Sequence, residues 1–349
     1  MTPAVPRSGL RDVEPYQAPQ LDVAVRLNTN ECPVPLPATF RDELADAVRR
    51  LDLHRYPDRE AVELREALAK HADHPAEGTW AANGSNEVIE QLLLAYGGPG
   101  RRVVVFQPTY VLHERLAWVT HGDLVALALD EPWTISTRDV DRALAAEPSV
   151  VFVCSPNNPT GNAQPVGVVE RLASGEDSLV VVDEAYIEFG GRSAAGLVGR
   201  YPNVAVVRTF SKAFALAGAR IGYCLTSPEV VEDLRRVRLP YHLSGLTQAA
   251  GLVALRHNQN ALAILDAVRQ ERDHILAELP GLEVRAYPSD ANFVLLRPPR
   301  SARDVWRGLL DRGVLVRDVS SVVPGCLRVT AGTPEEVTRF LSALKEVLG

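Results

Sequence analysis

Four short apolar runs recur through the middle of the chain: Val103-Val104-Val105-Phe106, Val150-Val151-Phe152-Val153, Leu179-Val180-Val181-Val182 and Val204-Ala205-Val206-Val207. None alternates with polar residues, so each must be covered on both faces, as a strand is inside a parallel sheet flanked by helices. Helical segments separate the runs, which predicts crossover connections and an α/β fold. Each run stops at a polar cluster: Gln107-Pro108-Thr109-Tyr110, Ser155-Pro156-Asn157-Asn158, Asp183-Glu184-Ala185-Tyr186 and Thr209-Phe210-Ser211-Lys212. Ligands of open α/β sheets lie beyond the carboxyl ends of the strands. The four clusters are therefore expected to converge on one crevice.

Around this centre, residues 40–71 show a helical pattern broken at Tyr56-Pro57, and residues 228–278 read as long helices. Strand-like runs follow at 282–284, 292–296, 314–316 and 327–329, around a helix near 302–311, which describes a smaller α+β unit. Residues 1–37 are punctuated by proline yet hold Tyr16, Leu21, Val25 and Leu27, so they are expected to form an arm that docks. The expected division is that arm, packed on the small domain or on a partner subunit, then a large domain over 38–245 and a small one over 246–349.

The formal net charge of −7 comes without any basic block, which argues against a nucleic-acid partner. Cys32, Cys154, Cys224 and Cys326 are scattered, with neither a CxxC pair nor a histidine at ligand spacing, so no disulfide framework and no metal site are expected. No stretch approaches the ~20 apolar residues of a membrane span. A soluble cytoplasmic enzyme is the expectation.

Lys212 stands just past the fourth run, with Thr209, Ser211 and Arg220 close by. A lysine there is ordinarily a solvated residue at a helix start; two hydroxyls and a guanidinium beside it instead make a phosphate site next to an amine. With a carboxylate on the neighbouring strand, the set suits a lysine that joins pyridoxal phosphate as a Schiff base. Asp183 follows three valines, where a carboxylate is costly unless paired. Its partner is either a pyridinium nitrogen, kept protonated and electron-withdrawing, or the backbone of a helix that it caps.

Asn158, within Ser155-Pro156-Asn157-Asn158-Pro159-Thr160-Gly161, offers its amide to a cofactor ring oxygen or to a substrate carboxylate, and Tyr186 offers its phenol to the same ring oxygen. A plain turn is the other reading of this segment. Asn83-Gly84-Ser85-Asn86-Glu87 precedes an apolar helix, and its free amides make either an anion site or a simple helix start. Tyr110 either stacks on a flat cofactor or belongs to the core. Arg317 and Arg328 lie on strand-like runs, where a guanidinium is either solvated or recognises a carboxylate or phosphate. The chain has no GxxxxGKS/T, no GxGxxG between a strand and a helix, no HExxH and no GxSxG.

In sequence order, Asn83-Gly84-Ser85-Asn86-Glu87, Pro108-Thr109-Tyr110, the 155–161 segment, Asp183-Glu184-Ala185-Tyr186, Ser211-Lys212-Ala213-Phe214 and Leu327-Arg328 resemble the fold-type I aminotransferases that depend on pyridoxal phosphate. Pro15-Tyr16, Leu27-Asn28-Thr29-Asn30-Glu31, Arg55-Tyr56-Pro57, Leu239-Pro240-Tyr241-His242-Leu243-Ser244, Ala291-Asn292-Phe293 and Val316-Arg317-Asp318 are similar, within that superfamily, to the histidinol-phosphate aminotransferase group. The resemblance covers nearly the whole chain, with Cys32 standing where the pattern often has Asn.

The resemblance implies a mostly parallel central sheet with helices on both faces, a small α+β domain, and a homodimer with shared active sites. It implies that Lys212 carries the cofactor and moves the substrate α-proton, that Asp183 pairs with the pyridine nitrogen, and that Asn158 and Tyr186 hold the ring oxygen. Tyr110 would stack on the ring. Gly84, Ser85, Asn86, Thr209, Ser211 and Arg220 would bind the cofactor phosphate, joined by Tyr56 from the partner subunit. Arg328 would grip the carboxylate of glutamate or 2-oxoglutarate, and with Arg317 the phosphate of L-histidinol phosphate, while Tyr16 and Asn28 help close the site. The implied reaction exchanges an amino group between L-histidinol phosphate and 2-oxoglutarate, giving imidazole-acetol phosphate and L-glutamate, in L-histidine biosynthesis. An aromatic amino-acid aminotransferase is the alternative, ahead of a threonine-phosphate decarboxylase or a non-enzymatic regulator that binds the same cofactor.

Overall fold

The structure, a computed structural model, describes residues 4–5, 7–10, 13, 15, 19–175 and 177–349. Strands and helices are numbered along the chain. Seven strands make the larger sheet: β2 (Thr79–Ala82), β3 (Arg102–Gln107), β4 (Asp123–Ala128), β5 (Val150–Cys154), β6 (Leu179–Asp183), β7 (Val204–Thr209) and β8 (Gly222–Leu225). Their spatial order is β2-β8-β7-β6-β5-β3-β4. Neighbours from β7 across to β4 are parallel, and β8 runs antiparallel to both β7 and β2.

The four runs singled out in the sequence are the central strands β3, β5, β6 and β7. Their residues alternate between two covers, as a period of two requires. Val104, Val151, Val180 and Val206 join a core with Leu64 and Leu68 of α2 (Val62–Ala72), whereas Val103, Val150, Val181 and Val207 join one with Val88 and Leu92 of α3 (Ser85–Tyr96). Helix α1 (Ala38–Arg49) precedes α2, and the break between them holds Tyr56 and Pro57. The strands β2, β4 and β8 carry no unbroken valine run. β4 is an edge strand half open to solvent, and β2 and β8 use Trp80, Tyr223 and Cys224 where the centre uses valine.

Helices α4 (Val111–Val119), α5 (Thr137–Ala145) and α6 (Val166–Ala173) fill the connections between β3 and β6, and α7 (Pro228–Val237) and α8 (Gly245–Arg256) follow β8. Gly251 of α8 lies against Leu64 of α2, beneath the large sheet. The second sheet has the order β1-β11-β12-β10-β9, from β1 (Val25–Leu27), β9 (Arg285–Ala286), β10 (Phe293–Arg297), β11 (Val314–Asp318) and β12 (Leu327–Thr330). Helices α9 (Asn258–Glu278), α10 (Ala302–Asp311) and α11 (Pro334–Leu348) accompany it, with Ile275, Leu309 and Phe340 in its core.

The run expected as a strand at 282–284 is different. A 3-10 turn over Leu279–Leu282 is followed by Glu283 at φ +58°, and the strand starts only at Arg285, because Pro280-Gly281 favours a turn. The N-terminal segment enters the small sheet through β1, parallel to β11 with Leu27 opposite Val316. Further upstream, the Arg7 guanidinium lies 4.1 Å from the centroid of the Trp118 ring in α4. The segment thus touches the smaller sheet and a helix that joins strands of the larger one. Among the described residues no helix is long and apolar enough to cross a membrane.

Candidate active site

The carboxyl ends of β3, β5, β6 and β7 meet at a cleft of about 610 Å³. All four polar clusters contribute to its wall: Tyr110, Asn158, Asp183 with Tyr186, and Thr209 with Ser211 and Lys212. This follows from the parallel register, which sets Cys154 opposite Asp183 and Asp183 opposite Val207. Asn28, Ser85, Asn86, Arg220, Arg317 and Arg328, also expected in the site, lie along the same wall.

One end of the cleft is built to take an anion. Ser85 and Asn86 open α3, and Gly84 has no side chain to cap that helix start. Gly84 sits at φ +84°, and a Cβ there would come within 2.5 Å of the Arg220 guanidinium. Gly222 is equally constrained, since a Cβ on it would overlap the backbone nitrogen of Ser85. The two glycines let the first turn of α3 lie directly on β8 and Arg220. Thr209 donates its hydroxyl to Ser211 Oγ at 2.9 Å, and Arg220 Nη1 donates to the same oxygen at 3.3 Å. Amide groups at a helix start, two hydroxyls and a guanidinium are the donor set of a phosphate site.

Lys212 lies three residues past β7, half-buried in the wall of the cleft. Its Nζ donates to the carbonyl of Thr29 at 3.2 Å and lies 5.8 Å from the centroid of the Tyr186 ring. Burial, then the positive charge of Arg328, lowers its pKa from 10.5 to about 8. A lysine so placed gives up its proton more readily than a solvated one, which an amine nucleophile needs.

Asp183 is buried, and its Oδ2 accepts from His113 Nε2 at 3.0 Å while Oδ1 accepts from the Ala185 N–H at 3.1 Å. The carboxylate therefore lines the cleft and also closes a local turn. His113 lies in α4, stacked on Phe152 at 4.5 Å and edge-on to Tyr110 at 5.6 Å. It was not legible as a site residue. Its one signal is a position three residues after Tyr110, which puts both on the first turn of the helix leaving β3.

Elsewhere along the same wall, Arg328 Nη1 donates to Asn158 Oδ1 at 2.6 Å, and Nη2 donates to the Asn28 carbonyl at 2.8 Å. The Asn28 side chain donates to the Pro19 carbonyl at 2.8 Å. The Tyr186 hydroxyl accepts from Asn30 Nδ2 at 3.0 Å and lies 3.5 Å from Asn158 Nδ2. Burial pushes the Tyr186 phenol up to about 12, so it stays a proton donor. Asn30, Asn292 and Thr330, none of them singled out as site residues, lock this corner: Asn292 Nδ2 donates to the Asn30 carbonyl at 3.1 Å, and Asn30 N–H to Thr330 Oγ1 at 3.0 Å. Arg317 and Arg328 face each other across β11 and β12.

Among the described residues, two of the expected set, Gly84 and Tyr56, are not part of this wall. Tyr56 is 79% exposed and stacks on Tyr241 at 4.4 Å, away from the cleft of its own chain. Tyr16 lies outside the described residues. Among the described residues no group of three or more His, Cys, Asp or Glu is arranged to hold a metal ion.

The donor set fits pyridoxal phosphate: an anion cup, an amine of lowered pKa, an Asp held by a histidine, and a Tyr–Asn pair for a ring oxygen. Residues 23–344 match the family described as aminotransferase class I and II. The chain belongs to that family. Among its aminotransferase relatives, the histidinol-phosphate aminotransferase of Frankia casuarinae is 49% identical, over 98% of this chain and 90% of that protein. The histidinol-phosphate aminotransferase of Thermobifida fusca is 48% identical, over 98% of this chain and 95% of that one. The crystal structure of histidinol-phosphate aminotransferase from Sinorhizobium meliloti in complex with pyridoxal-5'-phosphate superposes with a TM-score of 0.86 at 26% identity, covering 93% of this chain and 91% of that one. The fold is thus that of a fold-type I aminotransferase.

Proposed function

We propose that this aminotransferase exchanges an amino group between L-histidinol phosphate and 2-oxoglutarate, yielding imidazole-acetol phosphate and L-glutamate, as a cytoplasmic enzyme of L-histidine biosynthesis. The observation that carries the reading is the opposed pair Arg317 and Arg328, which lines the same cleft as the phosphate cup. One substrate brings a phosphate and the other carboxylates, and a planar guanidinium pair serves both.

Pyridoxal phosphate, when bound, supplies the aldehyde carbon that takes up the amine and the electron sink for the substrate Cα. Gly84, Ser85, Asn86, Thr209, Ser211 and Arg220 would hold its phosphate, Asp183 its ring nitrogen, Asn158 and Tyr186 its ring oxygen, and Tyr110 its face. Asp183 would be oriented toward that nitrogen by its hydrogen bond with His113. Lys212 Nζ is the base for the substrate α-proton, since its lowered pKa allows it to accept and return a proton near neutral pH. Arg328 orients the substrate carboxylate or phosphate while bound to Asn158 and Asn28. Asn28, in the arm, would help close the cleft and exclude water.

The homodimer belongs to the same reading. Tyr56, Leu53, Leu239, Tyr241 and Leu246 are exposed, and Pro57 meets the start of α8 at Gly245, so the segments form one apolar patch. A second copy covering it would receive Tyr56 at its phosphate cup. The division into an arm over 1–37, a large domain over 38–245 and a small one over 246–349 belongs to the same reading.

The deciding assay compares L-histidinol phosphate with phenylalanine as amino donor to 2-oxoglutarate. The expected outcome favours histidinol phosphate. A tenfold preference for phenylalanine, ~1.4 kcal/mol in transition-state binding, makes the protein an aromatic aminotransferase instead.

A further inference from the structure

The segment joining α7 to α8 makes contacts that neither the phosphate cup nor the substrate end uses. His242 Nε2 lies 3.0 Å from the Ala81 carbonyl in β2; a carbonyl only accepts, so this nitrogen carries the proton. The His242 carbonyl accepts from Asn83 Nδ2 at 2.6 Å. The imidazole lies flat along the Trp80 indole, 7° from parallel with centroids 5.5 Å apart. Trp80 is itself fixed, by Nε1–H donation to Gln91 Oε1 at 2.7 Å and by the Arg238 guanidinium 5.2 Å from its ring centroid.

These contacts fall on Trp80, Ala81 and Asn83, the strand and turn that deliver Gly84, Ser85 and Asn86 to the cup. Asn83 is held a second time, its N–H donating to the Glu87 carboxylate at 2.5 Å. The residue before His242 is Tyr241, whose left-handed backbone, φ +54°, presents its ring to Tyr56. One short segment thus grips the root of the cup on one side and the exposed Tyr56 on the other.

We propose that His242 is a positioning residue that holds the 83–86 turn in its anion-binding form and couples it to the interface segment bearing Tyr241. This rests on the reading of the cup as the cofactor-phosphate site. A helix start binds an anion well only if its amides are already aligned, since otherwise the ligand must supply the ordering free energy. Loss of the Nε2 donor leaves the Ala81 carbonyl without this partner and releases the turn.

The test titrates cofactor-free protein with pyridoxal phosphate and, separately, with inorganic phosphate. His242→Phe keeps a flat ring on Trp80 and removes the donor; His242→Gln puts an amide nitrogen where Nε2 was, and His242→Asn is too short to reach. Phe and Asn variants are expected to bind both ligands about tenfold more weakly, ~1.4 kcal/mol, within the cost of an unsatisfied buried carbonyl, and Gln to recover most of that. Combined with Asn83→Ala, His242→Phe is expected to lose less than the sum of the single changes. Wild-type affinity in the Phe variant overturns the proposal. If that variant does not fold, equal affinities for Gln and Asn overturn it. A wild-type protein that binds phosphate but never pyridoxal phosphate contradicts the cofactor reading instead, and the phosphate series still decides the role of His242.

Discussion

Arg317 and Arg328 stand directly opposite each other in the antiparallel pair of β11 and β12. Like charges at facing positions of a sheet are destabilising, so the pair is stable only where an anion or strong acceptors answer it. Asn158 Oδ1 and the Asn28 carbonyl answer Arg328 in part. On the proposed reading, a carboxylate or phosphate of the substrate would bind at the same pair.

Removing Arg328 should therefore damage both half-reactions. Arg328→Gln is expected to lower kcat/KM for glutamate and for histidinol phosphate by about 100-fold or more, the ~3 kcal/mol typical of a buried charge-assisted contact. Arg317→Gln should spare glutamate and raise the KM for histidinol phosphate. Steady-state kinetics on each substrate separate the two outcomes.

Lys212 leaves a signature in stability. The unfolded chain keeps this proton to about pH 10.5, whereas the folded chain releases it near pH 8, so unfolding between these values takes up a proton. Stability gained from this group is thus lowest below pH 8 and recovers as pH rises to 10.5. Cofactor-free Lys212→Met should be more stable than cofactor-free wild type at pH 7, by up to ~3 kcal/mol, with the gap closing toward pH 10.5. Urea unfolding of both proteins across that range checks the sign.

Asp183 and His113 act as one unit. Asp183→Asn should lower kcat by at least about 100-fold, since the amide cannot keep a ring nitrogen protonated. His113→Phe retains the stack on Phe152 and frees the carboxylate from its holder, and a smaller loss is expected. The two rates, measured at saturating cofactor, should be far from additive when the changes are combined.

The cup has a steric test. Gly84→Ala places a methyl against Arg220 and strains a backbone at φ +84°, so it should weaken pyridoxal phosphate binding. Gly222→Ala meets backbone rather than a side chain and should destabilise the fold as well. Cofactor titration alongside thermal melting distinguishes the two.

The central strands were legible because β3, β5, β6 and β7 are covered on both sides and need unbroken valine. β2, β4 and β8 were not: β4 is an edge strand open to solvent, β2 is buried but short and built on Trp80 and alanines, and β8 begins at Gly222, which allows a close approach. The convergence of Asn158, Asp183, Thr209 and Lys212 on one cleft was legible for a related reason: each ends or follows an obvious strand. Asn30, Asn292 and Thr330 gain their part only from the pairing of β1 and β12 with distant strands, and His113 only from the register that sets α4 against Asp183. Such long-range contacts leave no local pattern.

The most direct measurement follows L-glutamate formed from L-histidinol phosphate and 2-oxoglutarate by the purified protein loaded with pyridoxal phosphate, wild type against Lys212→Ala. The expected result is sustained glutamate production by the wild type and none above background by the variant. No glutamate from the wild type, or equal rates from the two proteins, would contradict the role of Lys212 and the reaction assigned to this cleft.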